Sequence, residues 1–140
     1  EATAFGALTI INRFEEYGVR IDEVVNCGGI AEKNPMLMQI YADVTGREMK
    51  ISRSGQTCAL GSAVAAAVVG GAYPSFDKAQ AAMCGIKETT FRPIPENHKV
   101  YQRIYKLYRE LHDAFGLRDN PIALGHVMKK MLAIKEEANA

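Results

Sequence analysis

The sequence has almost no surplus charge of either sign. Seventeen Lys and Arg stand against sixteen Asp and Glu, leaving +1 over 140 residues. Such a balance gives no strong field for nucleic acid or a membrane surface. Lys99, Arg103, Lys106 and Arg109 share their stretch with Glu110 and Asp113, so no nucleic-acid face is expected there. Cysteine is scarce. Cys27, Cys58 and Cys84 are odd in number, far apart and without CxxC spacing. They fit free thiols in a reducing compartment such as the cytoplasm better than a disulfide framework. Cys27 and Cys58 are expected to be inert buried thiols. No apolar run reaches the ~20 residues that cross a bilayer, so no membrane partner is expected. The most apolar run, Ala59 to Ala72, is rich in Ala and Gly. No basic segment followed by an apolar core opens the chain, and no secretory leader is expected. His98, His112 and His126 are the only histidines. Successive ones lie roughly 20 Å apart along a continuous helix, too far to share a metal ion. GxSxG, HExxH and Walker A motifs are absent. Glu15-Glu16 and Glu136-Glu137 fall in polar helical surface and read as solvated. The residues therefore assign no catalytic group and no metal ligand. They assign at most half of a binding site.

Two glycine-centred stretches are what the chain does contain. The first is Val24-Val25-Asn26-Cys27-Gly28-Gly29-Ile30-Ala31-Glu32-Lys33-Asn34-Pro35. It reads as a short buried strand, a glycine turn and a new helix. Glycine lets a ligand approach the main chain closely, and a helix start offers unpaired N–H groups. Gly-Gly turns after strands are common, however, and most bind nothing. The second stretch is Gln56-Thr57-Cys58-Ala59-Leu60-Gly61-Ser62-Ala63. Gly61 inside a helix costs about 1 kcal/mol against Ala. That cost predicts a close neighbour there, either packed backbone or a ligand.

In order, residues 2–17 place Phe5, Leu8, Ile11 and Phe14 at helical spacing, with Ile10 beside them, and Tyr17-Gly18 ends that helix. The chain begins at Glu1, without Met and already in helical rhythm, which predicts a piece of a longer protein. Asn34-Pro35 opens a helix by N-cap and first-turn preference. Leu37, Ile40, Tyr41 and Val44 form its apolar face, and Gln39 and Asp43 read as a solvated edge. Glu48–Ser52 reads as a strand, 54–57 as a capping loop, and the stretch from Cys58 or Ala59 to Val69 as a helix of small residues. Ser75 caps a short helix through Met83. Thr89–Arg92 is extended, with Pro93 and Pro95 keeping that segment out of helix. Asn97–Phe115 is the most periodic stretch, and its Tyr101, Tyr105 and Tyr108 read as core edge. Asn120-Pro121 opens a last helix carrying Leu124, Val127, Met128, Met131 and Leu132.

The two glycine stretches, joined by Leu37-Met38-Gln39-Ile40-Tyr41-Ala42-Asp43-Val44-Thr45-Gly46, resemble the C-terminal signature of the FGGY carbohydrate kinases. Their wording, and Phe91-Arg92-Pro93 before the tyrosine-rich helix, are similar to the branch that acts on the ketopentose L-ribulose. The resemblance covers essentially the whole chain and is most specific over residues 24–71. It implies an α/β fold: the C-terminal part of an actin-like, ribonuclease-H-like ATPase lobe, helix-rich, with two or three short strands. Residues 1–140 would be the C-terminal part of the second kinase lobe, with 95–140 its helical extension. The implied activity is transfer of the ATP γ-phosphoryl group, with Mg²⁺, to a sugar hydroxyl, giving L-ribulose 5-phosphate. Gly28 and Gly29 would back the phosphates and ribose, and Ile30 and Asn34 would flank the base. Gly61 would support the turn from behind. The catalytic base and the sugar-binding residues would lie upstream, so the chain alone would be inactive. ATP and a sugar would be its small-molecule partners in the full-length enzyme, and the chain by itself is expected to self-associate. Xylulose- or glycerol-type kinases of the same family remain open alternatives, as does a non-catalytic actin-like module.

Overall fold

The computed structural model describes residues 1–116 and 124–139. They form two compact units. One contains Ile21–Ala42 and Arg47–Arg92; the other contains Glu1–Arg20, Asp43–Gly46 and Pro93–Ala140.

The first unit is built on a three-stranded sheet. Strands β1 (Val24–Asn26), β2 (Met49–Ser52) and β3 (Ile86–Phe91) lie in the order β1-β2-β3. β1 and β2 are parallel, with Val24 opposite Met49 and Asn26 opposite Ile51. A parallel pair needs a crossover. Here the glycine turn, α2 (Gly29–Lys33) and α3 (Pro35–Thr45) supply it. β3 runs antiparallel to β2, with a register shift between Lys50 and Ser52. Ala31, Met38 and Ile51 are buried together, and Leu37, Tyr41 and Phe91 pack on them. Met38 and Ile51, both nearly fully buried, contribute about 1.5–3 kcal/mol each.

Several expectations change here. β1 is not a buried strand: Val25 is exposed, because β1 is an edge strand with β2 as its neighbour. The helix after the turn is a separate five-residue piece, α2, and Asn34 closes it before capping α3. Met38, outside the expected face of α3, is one of the residues it buries. β3 begins at Ile86 rather than Thr89, since Ile86 already pairs with Ser52 of β2. Helices α4 (Thr57–Val69) and α5 (Phe76–Met83) pack on each other. Ser75 caps α5 as expected, its Oγ accepting the Lys78 N–H at 3.4 Å. α4 buries only Val64 well. A Cβ at Gly61 would meet nothing within 4 Å, so no described atom needs the space that this glycine leaves.

The second unit is helical. It comprises α1 (Ala2–Glu16), the last turn of α3, α6 (Pro95–Gly116), a 3-10 turn (Leu124–His126) and α7 (Val127–Ala138). Phe5 packs its ring 5.4–6.1 Å from Tyr101, Tyr105 and Tyr108, so the tyrosine stripe is core edge, as expected. The C-terminal half of α1 departs from its pattern. Ile10 and Phe14 are exposed, because α1 meets α6 through the face that carries Phe5, Thr9 and Asn12, and Ile10 and Phe14 lie off it. Pro95 does not keep its segment out of helix; it opens α6, where a missing N–H costs nothing. Leu107, Val127 and Ile134 form the core between α6 and α7. Met128 and Leu132, expected on that face, are exposed instead, and Ile134 takes their place. The expected start at Asn120-Pro121 lies outside the described residues.

Asp43 is the clearest correction. It is 2% exposed, not solvated. Its carboxylate accepts the Ile94 N–H at 2.8 Å and the Asn97 Nδ2 at 2.9 Å. It thereby satisfies an orphan donor at the start of α6. Nearby, the His98 ring bonds the Asp43 carbonyl through Nδ1 at 2.7 Å.

Candidate functional site

The site grows from the carboxyl end of β1. Asn26, its last residue, turns Nδ2 onto the Lys50 carbonyl at 3.2 Å and the Met49 sulfur at 3.3 Å. The strand end is therefore clamped to β2 immediately before the turn. Gly28 then takes φ 86°, ψ 172°, a conformation essentially confined to glycine. Its carbonyl accepts the Glu32 N–H at 3.3 Å, which starts α2. Gly29 is the first residue of α2. A Cβ built on either glycine would meet nothing within 4 Å. The protein thus demands glycine at position 28 for its backbone angle. It makes no demand on position 29, where main chain faces open space.

Two contacts anchor the turn from below. Ala31 is buried against Met38 and Ile51. Glu32 pairs with Lys87 of β3 at 2.6 Å. The hydrogen bond from Lys87, and then its charge, hold the Glu32 carboxyl below the ordinary carboxylate range. Glu32 therefore stays ionised, and its charge is matched by Lys87. Ile30 is 68% exposed beside the glycines. Asn34 is exposed, and its Oδ1 accepts the Leu37 N–H at 3.0 Å as the cap of α3. Only its Nδ2 remains for another partner.

The four expected residues Gly28, Gly29, Ile30 and Asn34 thus fall on one short segment, two in the turn and two on α2 and its end. Three residues that hold the turn were not expected: Asn26, Glu32 and Lys87. An Asn at a strand end before glycine is a faint signal. The Glu32–Lys87 pair spans 55 positions and leaves no local trace.

Cys27, just before Gly28, also lines a cleft of about 560 Å³ with Val25, Ser52, Thr57, Leu60 and Ile86. The cleft lies where β1 and β2 end and α4 begins. Ligands in α/β sheets commonly bind outside the carboxyl ends of parallel strands. Cys27 and Cys58 are exposed, not buried as expected, because the edge strand and the thinly covered α4 leave both open. Among the described residues no three His, Cys, Asp or Glu are placed to hold a metal ion. No helix among them is long and apolar enough to cross a membrane.

Known proteins place this arrangement. Residues 1–70, from α1 through the turn to α4, match the C-terminal domain of the FGGY family of carbohydrate kinases. Proteins named ribulokinase align along the chain. That of Geobacillus thermodenitrificans is 49% identical over 144 residues, covering 100% of this chain and 25% of the relative. That of Halalkalibacterium halodurans is 45% identical, covering 96% and 24%. That of Mycolicibacterium smegmatis is 48% identical, covering 87% and 21%. The chain spans about a quarter of the length of the curated relatives it matches. Helices around a small mixed sheet agree with that domain, which is part of an actin-like ATPase fold. Since the match takes in half of the 140 residues, strand, glycine turn and small-residue helix included, the chain belongs to the FGGY family of carbohydrate kinases.

Proposed function

We propose that this chain is the ATP-binding C-terminal part of a cytoplasmic kinase that phosphorylates the ketopentose L-ribulose, yielding L-ribulose 5-phosphate. The observation that carries the reading is the turn: Gly29 presents bare main chain to open space at a clamped strand end. The relatives named ribulokinase point to the sugar.

The residues present fit a nucleotide. Gly28 and Gly29 would lie against its phosphates and ribose, and exposed Ile30 and the Asn34 amide would flank its base. ATP supplies the transferred phosphoryl group. Phosphoryl transfer depends on positioning and charge neutralisation, so main chain at a turn contributes without a catalytic side chain. Mg²⁺ would be held chiefly by the phosphates and by one or two carboxylates, none of which is assigned to this chain. The catalytic base and the sugar site are likewise assigned outside these 140 residues.

The test is an ADP-release assay on the full-length protein with L-ribulose, other ketopentoses, pentitols and glycerol, with this chain alone as control. Turnover fastest with L-ribulose, and none from the chain alone, is expected. Another preferred sugar would overturn the substrate assignment but keep the kinase. No turnover with any sugar would overturn the kinase.

A further inference from the structure

A second cleft lies within the helical unit. It has a volume of about 340 Å³ and is lined by Thr9, Arg13 and Glu16 of α1 and by Arg109, His112 and Asp113 of α6. That is within the range of small-molecule sites. Five of its six lining groups are ionisable, unlike the hydrophobic seam that ordinary helix packing produces.

The guanidiniums are held but underused. Arg13 donates to Glu16 at 2.8 Å and lies 5.2 Å from the centre of the Tyr17 ring. Arg109 has Asp113 3.6 Å from Nη2, an ion pair too long for a hydrogen bond. The Arg109 Nε is buried and has no hydrogen-bond partner, while Tyr105 lies beside the same guanidinium and helps to keep it charged. A buried donor without an acceptor is destabilising, the more so when it belongs to a charged group. The His112 Nδ1 bonds Asp113 at 2.9 Å, which leaves Nε2 for another partner.

These donors converge from two helices on one cavity. Arg13, Arg109 and His112 can each meet one oxygen of a phosphate, as guanidinium forks commonly do. Two carboxylates offset the two guanidiniums, so the cleft has little net field for a bare anion. Glu16 and Asp113 are acceptors, and they match a ligand that also carries hydroxyl donors. The geometry points to a binding site for a small phosphorylated polyol, with Arg13, Arg109 and His112 on its phosphate and Glu16 and Asp113 on its hydroxyls. This site uses none of the residues of the glycine turn, and only the ADP control of its test rests on the kinase reading.

Isothermal titration of the full-length protein, kept saturated with ADP, tests it. The probes are glycerol 3-phosphate, inorganic phosphate and glycerol at one ionic strength. Glycerol 3-phosphate should bind, with affinity at least about tenfold above either fragment. Arg109→Gln and Arg13→Gln should each weaken it about tenfold or more while leaving ADP affinity unchanged. Arg13 is mostly exposed, so its replacement keeps the test valid if the Arg109 variant fails to fold. Binding unaltered by Arg13→Gln, or no binding at all, would overturn the site. Equal binding of phosphate and glycerol 3-phosphate would overturn the polyol.

Discussion

Replacing Gly28 by alanine should destabilise the protein, while the same change at Gly29 should not. Gly28 sits at φ 86°, ψ 172°. Holding an L-residue there costs about 1–3 kcal/mol. The added methyl itself meets nothing within 4 Å, so the whole cost is backbone strain. Gly29 has no positive φ and starts α2. Alanine there avoids the roughly 0.5–1 kcal/mol that glycine loses in a helix. Gly29→Ala should therefore be neutral or slightly stabilising. Urea unfolding of the full-length variants measures both. A Gly28→Ala protein as stable as the parent would show that the turn relaxes without its special angle. A Gly29→Ala loss above about 1 kcal/mol would show hidden packing against the turn. The ligand reading adds a second readout. Gly29→Val should raise the Michaelis constant for ATP about tenfold or more, a loss of ~1.4 kcal/mol, and spare that for sugar. Equal effects on both substrates, or none, would remove the turn from the nucleotide site.

Asp43→Ala should cost about 3 kcal/mol or more by urea unfolding, since two donors to a charged acceptor lose it in a buried place. Asp43→Asn keeps an oxygen for Ile94 and should cost less; equal losses would refute this account. Tyr101 should ionise late. Burial first, then its hydrogen bond to Glu1, push its pKa up to about 12. The unfolded chain releases this proton near pH 10 and the folded one near 12, so stability should fall as pH rises across that window. Tyr101→Phe should remove that fall, read as the difference between the two pH–stability curves; parallel curves would refute it. Cys27 and Cys58 should react with a thiol reagent faster than half-buried Cys84, and slow reaction at Cys27 would mean that the turn is covered. The isolated chain exposes Ile10, Phe14, Phe115 and Met128, among others, and should self-associate. A monomer by light scattering over a wide concentration range would contradict this.

What was legible from residues is what local rules govern. Asn34-Pro35, Ser75 and Gly18 punctuate helices through caps and backbone angles that act within one turn, and all three stand where they were expected. The strands at Val24–Asn26 and Met49–Ser52 were legible too, from short runs bounded by turn residues, but their pairing was not. The turn itself, with Gly28, Gly29, Ile30 and Asn34, could be read as a segment. Its wording carried the family.

Tertiary contacts decided the rest, because burial depends on neighbours distant in sequence. Asp43 looks like a solvated edge until Ile94 and Asn97 bring their donors to it, more than fifty residues later. Phe14 keeps helical spacing yet stays half exposed, while Ile134, outside the expected face, is buried against Leu107. Cys27 and Cys58 lie in apolar stretches and are still exposed, since composition does not say which strand is an edge. The sequence by itself thus determined where helices start and stop, where the chain turns on glycine, and to which family it belongs. Only the structure decided which faces meet, what clamps the turn, and where ionisable side chains of α1 and α6 converge. Capping and backbone angles are settled within a few residues, whereas packing and ion pairing are settled by the fold.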